Sequence, residues 1–180
     1  MKKKEKFFWQ TAYTLCALFL IGAVVGWLYE CVVRSISEKS WVNAGMLYGP
    51  YLPIYGLGLA VLYGLACIPL PIKNRLLKGV VQLLLSGVIL TLLEYIGGLI
   101  FIRGFGLQLW NYEQFPYNLQ GIICPVCSLG WAIAGGVYMW FLHPQVLRLR
   151  AVILQAEIVR FLLAFGIGAV FADFILSLFL

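Results

Sequence analysis

Three carboxylates in apolar surroundings and one Gly/Pro-rich stretch carry the chemistry of this sequence. Glu30 closes Gly26-Trp27-Leu28-Tyr29-Glu30 at the end of the first apolar run. Glu94 stands in Leu92-Leu93-Glu94-Tyr95-Ile96-Gly97-Gly98, about seventeen residues into another. Asp173 interrupts a third apolar run and calls for a donor from another helix, for packing or for a site. A charge at the centre of a membrane helix costs at least about 2.5 kcal/mol on insertion scales, so such residues are paired or functional. Glu94 is too short and too deep to snorkel, and should face inward toward a Tyr hydroxyl or an Arg. Trp27, Glu30 and Arg34 share one helix face, and Glu30 and Arg34 have the i, i+4 spacing of an ion pair. An interfacial aromatic belt with a snorkelling pair is the plainer reading of that face.

The stretch Gly45-Met46-Leu47-Tyr48-Gly49-Pro50-Tyr51-Leu52-Pro53-Ile54-Tyr55-Gly56 cannot be an ordinary membrane helix. Pro50 and Pro53 lack backbone donors and push the preceding residue out of helical angles. Broken backbone survives in a bilayer only where protein or a watery cavity surrounds it. Tyr48, Tyr51 and Tyr55 add rings whose hydroxyls need partners. The segment reads as the wall of a polar pocket, or as a Pro-rich entry turn to a helix. A second polar stretch, Trp110-Asn111-Tyr112-Glu113 through Asn118 to Gly121, mixes aromatic faces with amides. It suits a sugar, a nucleobase-like ring or a lipid headgroup, and equally an interfacial hairpin.

The elements that position these residues are membrane helices. The 180 residues are 63% hydrophobic and 11% charged, with a mean hydropathy of +0.95. A soluble domain carries roughly 25% charged residues. The fold class is therefore all-α, a polytopic transmembrane bundle of about five spans in one domain. Expected helices are Phe7–Val33, Leu47–Ile68, Leu77–Ile102, Gly121–Leu142 and Leu149 to the end, with Arg103–Gln120 too polar for the bilayer core. Pro69-Leu70-Pro71 should end the second helix, and His143-Pro144 the fourth.

The net charge of +6 is no nucleic-acid signal, because Lys and Arg sit at helix ends. Nine of them, including Lys2, Lys73 and Arg148, fall on the side of the N-terminus, against Arg34, Lys39 and Arg103 opposite. That asymmetry predicts N-in, C-out. The broken stretch, the polar loop, Glu30, Glu94 and Asp173 then all fall toward the outer face. The first helix is too long for a signal-peptide core and lacks a small-residue cleavage pattern.

The cysteines Cys16, Cys31, Cys67, Cys124 and Cys127 do not form a secreted disulfide framework. Cys124-Pro125-Val126-Cys127 has redox or metal spacing. It has no second pair, and the single histidine, His143, lies far along the same helix, so no zinc site is read here. A local disulfide or packing thiols remain. Small-residue spacings at Gly22/Gly26, Ala164/Gly168 and Gly168/Ala172 permit close helix contact or homo-oligomers. Glu157 and Arg160 can pair. The sequence has no Walker A loop and no nucleophile elbow, and no cofactor is expected.

Together, Gly26–Glu30, Gly45–Gly56, Leu93-Glu94-Tyr95, Trp110-Asn111-Tyr112, Pro116, Asn118–Gly121 and Cys124 are specific. In this ordered set the sequence resembles the type IV, CmpB-like family of ABC-transporter permeases, small bacterial membrane proteins, over residues 22–144. No motif matches in the fifth helix. The family pattern has Asp where Asn111 stands; Glu113 is the nearest carboxylate.

The resemblance implies a permease-like or substrate-capture component of the bacterial cytoplasmic membrane, energised by a separate ATPase or an ion gradient. The expected ligand-facing set is Trp27, Glu30, Tyr48, Pro50, Tyr51, Tyr55, Glu94, Tyr95, Trp110, Asn111, Tyr112 and Asn118. An enzyme of lipid-linked substrates using Glu30 and Glu94 as acid and base is the rival, and a non-catalytic assembly partner the third reading.

Overall fold

The computed structural model describes residues 3–153 and 156–179. Lys2 of the basic N-terminal cluster lies outside the described residues, as do residues 154 and 155 of the expected fifth helix and its last residue, Leu180. The described chain is helical, with no strand among the described residues. Helix α1 spans Lys3–Glu38, α2 Pro53–Ala66, α3 Arg75–Phe105, α4 Pro125–Val137, α5 His143–Ile153 and α6 Glu157–Phe179. A π-helical turn, Tyr138–Leu142, joins α4 to α5.

Four helical runs are long and apolar enough to cross a membrane: Phe7–Glu38, Arg75–Phe105, Pro125–Arg150 and Glu157–Phe179. Their large apolar side chains, such as Leu84, Val88 and Phe165, are exposed, as lipid-facing residues must be. Helix α2 has 14 residues, about 21 Å at 1.5 Å per residue, short of the roughly 30 Å hydrocarbon core.

Three boundaries correct the sequence reading. Helix α2 starts at Pro53, not Leu47. Proline suits a first helical position, where its missing N–H would have no partner, whereas residues 41–52 form no regular structure. His143-Pro144 does not close the fourth helix. Pro144 cannot donate to the preceding turn, and its ring crowds the carbonyl four residues back. The π-turn just before it absorbs that conflict: the His143 N–H bonds to the Tyr138 carbonyl, five residues back, and the helix continues. The last helix therefore begins at Glu157, and Leu149–Ile153 belongs to α5.

The chain divides into two compact units, Met1–Ala60 with Val146–Leu180, and Val61–Gln145. In the first unit α1 packs on α6. The start of α2 lies tightly on α1: a Cβ on Gly22 would come 2.8 Å from the Tyr55 carbonyl oxygen, and one on Gly26 would enter the Tyr55 ring. The Gly22/Gly26 spacing thus serves contact within the chain. An apolar cleft of about 450 Å³ lies between Leu15, Phe19, Leu57 and Phe171.

In the second unit α3 packs on α4. Small residues face each other there, Gly87 against Ala132 and Ser86 against Gly135. Helix α3 is capped at both ends. The Asn74 side chain accepts the N–H groups of Leu76 and Leu77 at 2.9 and 3.1 Å. Gly106, at φ 69°, turns the chain so that its N–H and that of Leu107 bond to the Ile102 and Phe101 carbonyls.

Candidate functional site

The structure collects the expected residues into two clusters, one in each unit. In the first unit the cluster is built around the broken stretch. Gly45 takes φ 97°, where a side chain is strained. The backbone donors that helix formation would have used are taken up elsewhere. Ala44 N–H donates to the Cys31 sulfur at 3.3 Å. Leu52 N–H donates to the Ala23 carbonyl at 2.9 Å. Tyr51 N–H reaches back over Pro50 to the Gly49 carbonyl at 2.9 Å, a three-residue turn. Tyr48 N–H and Gly49 N–H donate to the two oxygens of Asp173 at 3.2 and 2.8 Å. Ser177, one turn further along α6, donates to the same carboxylate at 3.1 Å, and the Tyr51 phenol hydrogen-bonds to it as well.

Asp173 is buried. It was expected to meet a donor from another helix; the donors are instead largely the amides of the broken stretch. Sequence reasoning left it outside the ligand-facing set because the partners lie 124 and 125 residues apart. The available clue was a donor-rich broken segment needing an acceptor, with Asp173 an apolar helix's unexplained carboxylate.

Glu30 and Tyr55 complete this cluster. The Tyr55 ring lies over Gly26, and its hydroxyl reaches one helical turn on to donate to Glu30 at 2.5 Å. Arg34 pairs not with Glu30 but with Glu38, at 3.6 Å on the exposed face. Glu38 is equally spaced from Arg34, and both ends of that pair keep their hydration, so the Tyr55 hydroxyl is left to Glu30. The Trp27 indole N–H donates to the Asn43 side chain at 2.9 Å, tying α1 to the loop. Tyr48 and Pro50 are exposed and Tyr51 half-buried.

In the second unit the buried Glu94, 4% exposed, accepts from two uncharged donors. Tyr112 hydroxyl donates to one oxygen and Trp131 indole N–H to the other, each at 3.0 Å. The loop that delivers Tyr112 is fastened to α3 one turn beyond Glu94. Trp110 N–H donates to the Ile122 carbonyl at 2.8 Å, and Ile122 fills the space that a Cβ on Gly98 would take.

Asn111 and Asn118 hold the loop's shape. Asn111 accepts the Glu113 N–H at 2.8 Å, and its own amide donates to the Glu113 carboxylate at 3.2 Å. Asn118 donates to the Glu113 and Phe115 carbonyls and accepts the Gly121 N–H. These amides are spent on their own loop. Asn111 thus forms the turn through its side-chain oxygen, which accepts the backbone N–H as an Asp there would. Tyr95 hydroxyl donates to Gln120 at 3.3 Å. Trp131 was absent from the sequence reading, since an indole in an apolar helix reads as packing until its N–H is seen to meet Glu94.

Each cluster thus holds a carboxylate out of water on neutral donors, a motif suited to polar recognition or proton exchange inside a membrane. Glu157 and Arg160 pair at 3.4 Å on an exposed face.

Apolar helices of spanning length and buried, hydrogen-bonded carboxylates define a multi-pass helical membrane protein. The chain belongs to the family described as "Putative ABC-transporter type IV", which matches residues 17–178. The match runs beyond the motif-bearing region and includes nearly all of α6, and with it Asp173. No curated protein and no solved structure matches the chain.

Proposed function

We propose that this chain is the membrane-embedded, substrate-capturing component of a transport system in the bacterial cytoplasmic membrane. It runs N-in, C-out through five crossings as a single transmembrane domain, with α2 and its broken entry serving as the second crossing. Its polar clusters open to the outer side. Trp27, Glu30, Tyr48, Pro50, Tyr51 and Tyr55 line the ligand path in one unit, and Glu94, Tyr95, Trp110, Asn111, Tyr112 and Asn118 in the other. The observation that carries the reading is the broken stretch itself, whose amides are satisfied by Asp173 while its tyrosine rings remain exposed or half-buried. Irregular backbone at membrane depth belongs beside a cavity or within protein.

Energy comes from a separate ATPase subunit that docks on the basic segment around Lys73–Lys78, at the start of α3. Affinity purification of the full-length chain from gently solubilised native membranes tests this. Co-purification of an ATP-hydrolysing subunit, lost when Lys73, Arg75 and Lys78 are changed to Ala, is the expected result. A chain that emerges alone, with and without crosslinking, refutes the ATPase-coupled reading.

A further inference from the structure

The cysteine pair at the start of α4 is used by nothing above. Cys124 is the N-cap residue, and Pro125 sets the first helical position. The Cys124 sulfur accepts the Cys127 N–H at 3.3 Å. This arrangement brings the two sulfurs to 2.9 Å, so closing a bond of about 2.05 Å needs a shift of less than about 1 Å. The sulfurs differ in access: Cys124 is buried and Cys127 half-buried. The Tyr112 phenol that serves Glu94 lies near the Cys127 sulfur. A packing thiol has no need of a second sulfur at contact distance. Among the described residues no group of three or more His, Cys, Asp or Glu side chains is placed to hold a metal ion.

We propose that Cys124 and Cys127 form a reversible dithiol–disulfide site that exchanges with an external disulfide. Cys127, the reachable sulfur, attacks one sulfur of that disulfide as its thiolate. The external S–S bond breaks, a mixed disulfide forms on Cys127, and the first external thiolate leaves. Cys124 then attacks the Cys127 sulfur, closing the internal bond and releasing the second thiolate. The two cysteine protons end on the two released thiols, so the external disulfide is reduced by two electrons and the pair is oxidised by two. This inference stands independently of the transport reading.

Full-length protein in lipid nanodiscs is equilibrated with glutathione buffers of graded redox ratio, acid-quenched and alkylated. Mass spectrometry then reads the peptide containing residues 124–127. The expected result is a peptide two hydrogens lighter that accumulates with oxidised glutathione and reverts with reduced glutathione. Cys124→Ser, which keeps an N-cap oxygen, should trap a glutathione adduct on Cys127. Cys127→Ser should leave the buried Cys124 unmodified. Wild-type protein whose two thiols both remain alkylatable in excess oxidised glutathione would overturn the proposal. So would an adduct that forms on Cys124 rather than Cys127.

Discussion

Asp173→Asn perturbs the link between α6 and the broken stretch with almost no change in volume. The carboxylate accepts two backbone N–H groups, Tyr48 on one oxygen and Gly49 on the other. An asparagine side chain has one oxygen. Ser177 can reverse its hydroxyl and accept from the new NH2 group; a backbone N–H cannot reverse. Whichever way the amide sits, one of the two N–H groups faces a donor. Leaving one buried N–H unsatisfied costs about 1–3 kcal/mol, and turning the other bond from charge-assisted to neutral about 1 more. The total is about 2–4 kcal/mol. At 1.4 kcal/mol per factor of ten, this corresponds to about 30- to 700-fold faster opening. Hydrogen exchange of the peptide covering residues 45–52, in nanodiscs, reads that opening. Ser177→Ala leaves both N–H groups paired and should accelerate exchange far less. Exchange within about threefold of wild type in Asp173→Asn would refute the carboxylate's role as the acceptor of this loop.

Gly26→Ala places a methyl group in the Tyr55 ring, so it should destabilise by about 1–3 kcal/mol. Detergent-resistance melting reads the loss, and Tyr55→Ala in the same chain should relieve it. Glu94→Gln should be tolerated in one orientation, with its oxygen to Trp131 and its NH2 to the Tyr112 oxygen. The loss is about 1–2 kcal/mol, from exchanging charge-assisted for neutral bonds, and thermal melting in nanodiscs measures it.

Helix existence was legible because long apolar runs leave no alternative in a bilayer. The expected Leu77–Ile102 lies inside α3, and the ends it missed are set by local devices it did not read, the Asn74 side-chain oxygen and the left-handed Gly106. The carboxylates and the broken stretch were legible as exceptions to the apolar rule. Their partners were not. Glu30 had two readings, a pocket role and an i, i+4 pair with Arg34, and the structure gives its carboxylate the Tyr55 hydroxyl, 25 residues away. Glu94 was assigned a Tyr hydroxyl or an Arg by chemistry. Which tyrosine, and the added Trp131 indole, depend on how α3, α4 and the intervening loop pack. Pro144 misled because a proline normally stops a helix, and nothing in the adjacent Tyr138–Leu142 announces a π-turn.

The proposed N-in, C-out topology puts Pro50 and Tyr117 on the outer side. Pro50 is exposed and Tyr117 is 90% exposed, so both suit labelling as single cysteines in a background where Cys16, Cys31, Cys67, Cys124 and Cys127 are all replaced by Ser. In right-side-out vesicles, a membrane-impermeant maleimide added outside should label Pro50→Cys and Tyr117→Cys, while Lys73→Cys should react only once the membrane is opened. Labelling of Pro50→Cys or Tyr117→Cys from the inner side alone would contradict the account.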